Sequence, residues 1–389
     1  MSKPRILHLG KFYPPTSGGI ETALETLCHD ESGTIENRAL VMSKGRHTVH
    51  QVLDGVAVTR VGSVATIGAV SVAATLPMWL ARASASADVV VLHEPNPMAL
   101  VAYFLVRPAL PLVVWYHSEV IRPRWRYRLF YKPFLEFALR SADCIVVGSP
   151  PMKEVAALVP HRAKCVVVPY GLDARRYQAT PAIAERAATL RQSLNGPVLL
   201  FVGRLVGYKG VEVLLRALPG LHAHTVIVGD GPLRDVLSHS ARELGLADRV
   251  RFVGEVSDEE LLAGYYAGDA LVLPSTSRQE AFGLVQLEAM LCGRPVISTN
   301  LPTGVPWVNQ HERTGLVVPP GDVAALRGAL ARLVCDVDLR RRLGETARSR
   351  ALTEFAAEGM CRAALRVYQD VCPDVFPPRR SEAPVLSLH

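Results

Sequence analysis

The chain has 389 residues, 49% of them apolar, and carries a formal net charge of +7. Such a length is too great for one ordinary domain and long enough for two buried cores, which excludes a small stapled scaffold or a disordered chain. The positive balance favours anionic partners, but the basic residues form no single tract, which argues against a nucleic-acid arm.

The N-terminus, MSKPRILHLG, enters a strand-like run at once, without the apolar segment of a secretion signal. Strand candidates follow at 5–10, 38–42, 56–61, 88–94, 111–117, 144–149 and 165–171. A second set lies at 198–204, 225–231, 249–254, 270–275, 295–299 and 315–319. Near-continuous apolar strands separated by helical patterns predict parallel sheets covered on both faces. Two such sets predict two doubly wound, Rossmann-like α/β domains with the join between Pro169 and Pro197. The uncharged stretch 61–81 is long enough to span a bilayer. Its Ala, Gly, Ser, Thr and Val content and its proline favour a buried helix preceded by a loop. Sequence 322–371 reads as helical, and the Pro-rich, aperiodic end as a tail. Seven scattered cysteines without a CxxC fit a reducing compartment and neither a disulfide framework nor a zinc site.

In open α/β sheets, ligands bind beyond the carboxyl ends of the strands, so the residues that follow each strand are the informative ones. After the first strand, Gly18 and Gly19 open an amphipathic helix. Glycines there admit a phosphate to backbone N–H groups at the positive end of the helix dipole, or simply form a tight loop. Neither GxxxxGK[ST] nor GxGxxG occurs. In FVGRLVGYKG, Arg204 and Lys209 rise from one strand end, where they can converge on a diphosphate or stand as solvated charges. His117, just past a buried strand, is a core histidine or a site residue. Ser257 and the acids that follow it form a helix cap beside Val256 and Asp258. In QEAFGLVQLEAM, helical periodicity begins only after Gly283. Glu280 therefore falls in the strand-to-helix loop and Glu288 inside the helix, with the first-turn N–H groups between them as an anion site. The plain alternative is an exposed glutamate that pairs with a basic neighbour.

The E-x7-E pair Glu280/Glu288 within EAFGLVQLEAMLCGRPVIST resembles the signature of the retaining glycosyltransferase family 4, of GT-B fold. SGGIE, the HS at His117, the Arg204/Lys209 pair, GDGP, RVRFVGEVSDEEL and TGLVVPPGD stand in that family's order, over about residues 4–345. The resemblance implies an acceptor domain at 1–175, a nucleotide-sugar domain at 196–350, a helix at 351–373 that packs back across the domains, and a flexible tail at 374–389. It also implies residue roles. Glu280 would hold sugar hydroxyls, supported by the N–H groups of Ala281, Phe282 and Gly283, while Leu284 and Val285 would offer theirs to the diphosphate. Arg204 and Lys209 would neutralise the leaving nucleotide, with Gly18 and Gly19 closing over it. Glu288 would take the ribose, and Val256 and Asp258 would border the base. His117 would approach the sugar or the reacting centre.

Under this resemblance the nucleotide-sugar is a substrate, no cofactor or metal takes part, and the one DxD match, Asp336–Asp338, is surface. The phrases TGVPWVNQHERTGLVVPPGD and ILHLGKFYPPTSGGIET look most like bacterial surface-polysaccharide mannosyl- and rhamnosyltransferases. That similarity implies a GDP-hexose or GDP-deoxyhexose donor, with a UDP-sugar as the alternative. A nucleotide-sugar epimerase would use the same cleft with another acid/base set. The basic, aromatic stretch 118–140 suits an anionic bilayer surface, or a solvated helix over an aromatic core edge. The first of these predicts a peripheral enzyme on the inner membrane face that acts on a lipid-linked glycan.

Overall fold

The computed structural model describes residues 3–16, 18–29, 33–67, 70–120 and 127–376. Its first half is built on an eight-stranded sheet formed by β1 (Arg5–Leu9), β2 (Glu36–Met42), β3 (Val49–Leu53), β4 (Val56–Val61), β7 (Val89–Glu94), β8 (Leu112–Tyr116), β9 (Cys144–Val147) and β10 (Cys165–Val167). The order is β10-β9-β8-β7-β1-β2-β4-β3, parallel except for the edge pair β3/β4. β5 (Ala65–Ile67) and β6 (Val70–Val72) form a separate antiparallel hairpin. The second half holds a six-stranded parallel sheet, β13-β12-β11-β14-β15-β16. Its strands are β11 (Val198–Val202), β12 (His224–Val228), β13 (Val250–Gly254), β14 (Ala270–Leu273), β15 (Val296–Thr299) and β16 (Gly315–Val318).

The central strands are buried on both faces; β7 is buried along its whole length, which is why the run VVVLHE shows no alternation. Every predicted strand exists, but most end one to four residues early. The apolar runs continue into βα turns such as Gly203–Arg204, where the chain leaves the sheet. Two elements departed from expectation. VHQVL at β3 is an exposed edge whose pattern is not continuously apolar. The stretch 61–81 holds the β5/β6 hairpin ahead of the short helix Leu76–Ser84, which buries Leu76 and Leu80. Among the described residues no helix is long and apolar enough to cross a membrane.

Strand order reverses at β1/β7 in the first sheet and at β11/β14 in the second. These switch points leave a crevice at the carboxyl ends, because the helices on either side of the reversal lie on opposite faces. The two halves are tied together by the chain's return. Leu172 and Phe355–Ala357 exchange backbone hydrogen bonds of 2.9 and 3.1 Å, and helix Ala357–Val371 packs on helix Gly19–Cys28. One apolar cluster consequently runs from Trp115 and Tyr170 through Phe282 and Leu287 to Phe355 and Tyr368. Residues 377–389, most of the expected tail, lie outside the described residues.

Candidate active site

Both switch points carry the residues singled out in the sequence. β14 leads into a loop in which Gly283 adopts φ +74°, and a Cβ there would fall 2.7 Å from Leu273 Cδ2, so only glycine fits. Helix Leu284–Leu291 starts immediately after it. The first-turn N–H groups of Leu284 and Val285 have no intrahelical acceptor, and the loop N–H groups of Ala281, Phe282 and Gly283 lead up to them. Gly304 N–H donates to the Ala281 carbonyl at 2.8 Å and fixes the loop from behind. Glu280 is buried in that loop, and Glu288 is half-buried on the helix.

Glu280 Oε2 lies 2.6 Å from Lys209 Nζ and accepts a 2.8 Å hydrogen bond from Ser275 Oγ. Burial works against the Lys209 ammonium, but the carboxylates of Glu280 and Glu288, with Tyr208, outweigh it and hold Lys209 above its usual value. The family resemblance assigns Lys209 to the diphosphate and Glu280 to the sugar; the structure pairs them directly. Glu288 Oε2 accepts from Tyr265 O–H at 2.6 Å, and burial raises its carboxyl. Asp258 opens helix Asp258–Ala267, but Ser257 and Glu260 supply the capping box, which leaves Asp258 exposed near Glu288. Val256 is half-buried beside them. Arg204 is exposed, with no ion-pair partner among the described residues.

From the other side, Gly18 precedes and Gly19 begins helix Gly19–Cys28. A Cβ on Gly19 would stand 3.5 Å from Leu284 Cδ1, so the two halves meet where the second helix begins. Lys11, which sequence reasoning did not single out, sits half-buried at the end of β1. Burial lowers its ammonium, opposed by Glu21 and helped by the Arg204 charge, so Lys11 and Arg204 are close enough to act on one another. Arg278 and Glu119 bridge the halves at 3.1 Å.

His117 does not present a free ring nitrogen. It is buried, with Nε2 2.9 Å from His93 Nδ1 and Nδ1 2.7 Å from Tyr170 O–H. The expectation that it contacts the sugar thus meets a ring already engaged on both sides, and the core alternative describes it. Asp336 and Asp338 are likewise not a metal pair. Asp336 caps helix Val337–Glu354 through Leu339 N–H at 2.8 Å, and Asp338 pairs with Arg341 at 3.0 Å. The aromatic residues of 127–141 mostly turn inward. Tyr131 donates to buried Glu94 at 2.5 Å, and Phe134 and Phe137 pack edge-on against Phe104. Residues 121–126, including Trp125 and three of the arginines, lie outside the described residues.

Burial of these groups sets an acid limit on stability. Burial lowers His8 to about 4, His117 to about 3 and His93 well below its usual value. Below pH 6.5 the unfolded chain therefore takes up protons that the folded one refuses, and stability falls as pH falls. Burial pushes the Glu94 carboxyl up to about 7. Between pH 4.5 and 7 the folded state therefore holds one extra proton there, which works in the opposite sense. Burial also raises the carboxyls of Glu21 and Glu288, which act in the same sense as Glu94, so these acids partly offset the loss set by the three histidines. Denaturant unfolding at several pH values between 5 and 7.5 checks this balance, and His93→Gln, which removes one of the three histidines, should lessen the loss of stability towards acid.

Two largely parallel α/β sheets with facing switch points and an E-x7-E loop over a lysine define a glycosyltransferase of the GT-B fold. Residues 18–176 match the family model described as Glycosyltransferase Family 4, and residues 184–350 match Glycosyl transferases group 1. The chain is 37% identical to the D-rhamnosyltransferase WbpZ of Pseudomonas aeruginosa, over 91% of this chain and 92% of that one. It is 34% identical to O-antigen chain mannosyltransferase C of Escherichia coli, over 72% and 75%. The solved structure of Anabaena Alr3699/HepE in complex with UDP superimposes with a TM-score of 0.73 at 20% identity, covering 95% of this chain and 100% of that one. The chain belongs to this glycosyltransferase family.

Proposed function

We propose that the enzyme moves mannose or a deoxyhexose such as rhamnose from a GDP-linked donor to a lipid-linked glycan, with retention and without a metal. The observation that carries the reading is the Lys209–Glu280 pair at 2.6 Å, with Glu288 close enough to act on the same charge and a helix start that has no side-chain cap. A nucleotide-sugar has hydroxyls at both ends and a diphosphate in the middle, and this order of groups matches it. The identity to a rhamnosyl- and a mannosyltransferase favours the same sugars here.

In the proposed transfer the bond between the anomeric carbon and the diphosphate oxygen breaks, and its electron pair leaves with the phosphate. The acceptor hydroxyl oxygen bonds to that carbon from the same face, and its proton passes to the departing phosphate oxygen. Lys209 and the N–H groups of Leu284 and Val285 are fixed positive ends beside the charge that develops, so they stabilise it with little solvent reorganisation, and the exposed Arg204 guanidinium supplies a further cation. Thermal-shift screening of GDP-mannose, GDP-rhamnose and UDP-sugars, followed by transfer to a polyprenyl-diphosphate glycan, tests the assignment. GDP-sugar stabilisation and an unchanged anomeric configuration in product NMR are expected, with turnover unaffected by EDTA. Stabilisation by UDP-sugars alone would overturn the donor assignment.

For the acceptor, the same proposal places the enzyme on the inner face of the cytoplasmic membrane through the surface around helix Lys132–Ser141. Leu105 and Leu129 are 63% and 65% exposed, and Lys132 and Arg140 are exposed on the helix itself, a mixed apolar and basic character suited to anionic lipid. Co-sedimentation with phosphatidylglycerol vesicles but not with phosphatidylcholine ones is the expected result.

A further inference from the structure

A line of buried polar side chains crosses the first sheet at its switch point, on the face covered by helices Gly19–Cys28 and Ala357–Val371. Asn37 Nδ2 lies 3.0 Å from the Leu27 carbonyl and 3.3 Å from that of Cys28. Asn37 Oδ1 lies 3.1 Å from His8 Nε2, and His8 Nδ1 lies 3.0 Å from His93 Nε2. His93 Nδ1 lies 2.9 Å from His117 Nε2, and His117 Nδ1 ends the line 2.7 Å from Tyr170 O–H.

The carbonyls at one end decide the direction of every link. Leu27 and Cys28 offer acceptors only, so the Asn37 amide nitrogen must face them and its oxygen must face His8. His8 Nε2 then carries the proton, which leaves Nδ1 to accept from His93; the same logic passes through His93 and His117 to Tyr170, which must donate. Each imidazole is therefore neutral and protonated on Nε2. A further proton on any of them would set donor against donor, and the lowered values of all three histidines agree with that.

Both ends of this line reach the donor loop. Helix Gly19–Cys28, held at its carboxyl end by Asn37, meets Leu284 through Gly19 at its other end. Tyr170 packs edge-on against Phe282, with ring centroids 4.8 Å apart. Its ring occupies space that only glycine at position 148 leaves open, since a Cβ there would fall 2.3 Å from Tyr170 Cε2. We propose that His8, His93 and Tyr170 are positioning residues, and that this one-way hydrogen-bond chain fixes His117 in one tautomer and sets two of the first half's contacts on loop 280–284. The purpose assigned to the chain rests on the reading of that loop as the donor site.

Two readouts test it. Nitrogen-15 NMR of the histidine rings at pH 7 should show three neutral Nε2–H tautomers for the buried residues. A charged ring or an Nδ1–H tautomer among them would overturn the chain. Tyr170→Phe keeps the ring and its packing but removes the terminal donor; donor KM should rise about tenfold, the equivalent of one buried hydrogen bond. His93→Met should do at least as much, whereas His93→Gln can accept from His117 and donate to His8, and should stay within about threefold of wild type. Wild-type donor KM in both Tyr170→Phe and folded His93→Met would overturn the positioning role while leaving the donor reading intact. Failure of the wild-type protein to bind any nucleotide-sugar would overturn the donor reading, and the chain's purpose with it.

Discussion

Replacing Glu280 with glutamine should lower kcat by about a thousandfold or more, near 4 kcal/mol of transition-state stabilisation. The size follows from what Glu280 touches. Its carboxylate is buried, and one oxygen faces both the Lys209 ammonium and the Ser275 hydroxyl. Glutamine keeps the shape and can still accept from Ser275, so the loop survives. Lys209, however, loses the nearest charge that keeps it ionised in a buried place. Breaking a buried pair from one side costs about 3–5 kcal/mol when the other charge is stranded. Here Glu288 still acts on Lys209, so a smaller loss of about 1–3 kcal/mol is expected. Steady-state kinetics beside denaturant unfolding separates the two effects. Near-wild-type turnover in a folded Glu280→Gln protein would falsify the role assigned to this carboxylate.

The loop that holds Glu280 was legible in the sequence because its chemistry and its geometry share one short segment. β14, Gly283 and the periodicity after it fix where the strand stops and the helix starts, so Glu280 and Glu288 take their places without tertiary information. Lys209 and Arg204 were legible for the same reason, as polar residues at the end of an apolar strand. What the sequence hid was which of these groups meet. Lys209 and Glu280 lie on loops after β11 and β14, neighbours in the sheet but far apart in the chain, and only the strand order brings them to 2.6 Å. Tyr265 and Ser275, which hold the two glutamates, are ordinary residues of a helix and a strand end until that packing exists.

His117 shows the opposite difficulty. Its position past β8 suggested a ligand, yet its two nitrogens are taken by His93 and Tyr170, residues 24 and 53 positions away. A local signal did exist. His8 interrupts RILHLG and His93 interrupts VVVLHE, each a polar residue in a strand buried on both faces, and buried polar groups require partners. Two such interruptions on adjacent strands could have been read as partners of one another. Their continuation through Asn37 and Tyr170 could not, since it depends on the register of four strands and a loop.

The second large effect belongs to Lys209. Lys209→Met should reduce kcat/KM by about a hundred- to a thousandfold, through loss of a fixed positive charge at the departing phosphate. Arg204→Met should act differently, because Arg204 is exposed and has no ion-pair partner among the described residues. Its guanidinium is free to meet a diphosphate at no cost to an existing pair, so its loss should raise donor KM with little change in stability. In the proposed transfer Lys209 would divide its charge between Glu280 and the incoming phosphate, which would make the two residues one unit. The double variant Glu280→Gln/Lys209→Met should therefore be no slower than the worse single variant, within about threefold, since either substitution already breaks the pair. Effects that multiply would mean that Glu280 and Lys209 act on the donor independently. In that case the contact of 2.6 Å would be a structural ion pair and not part of how the leaving group is stabilised.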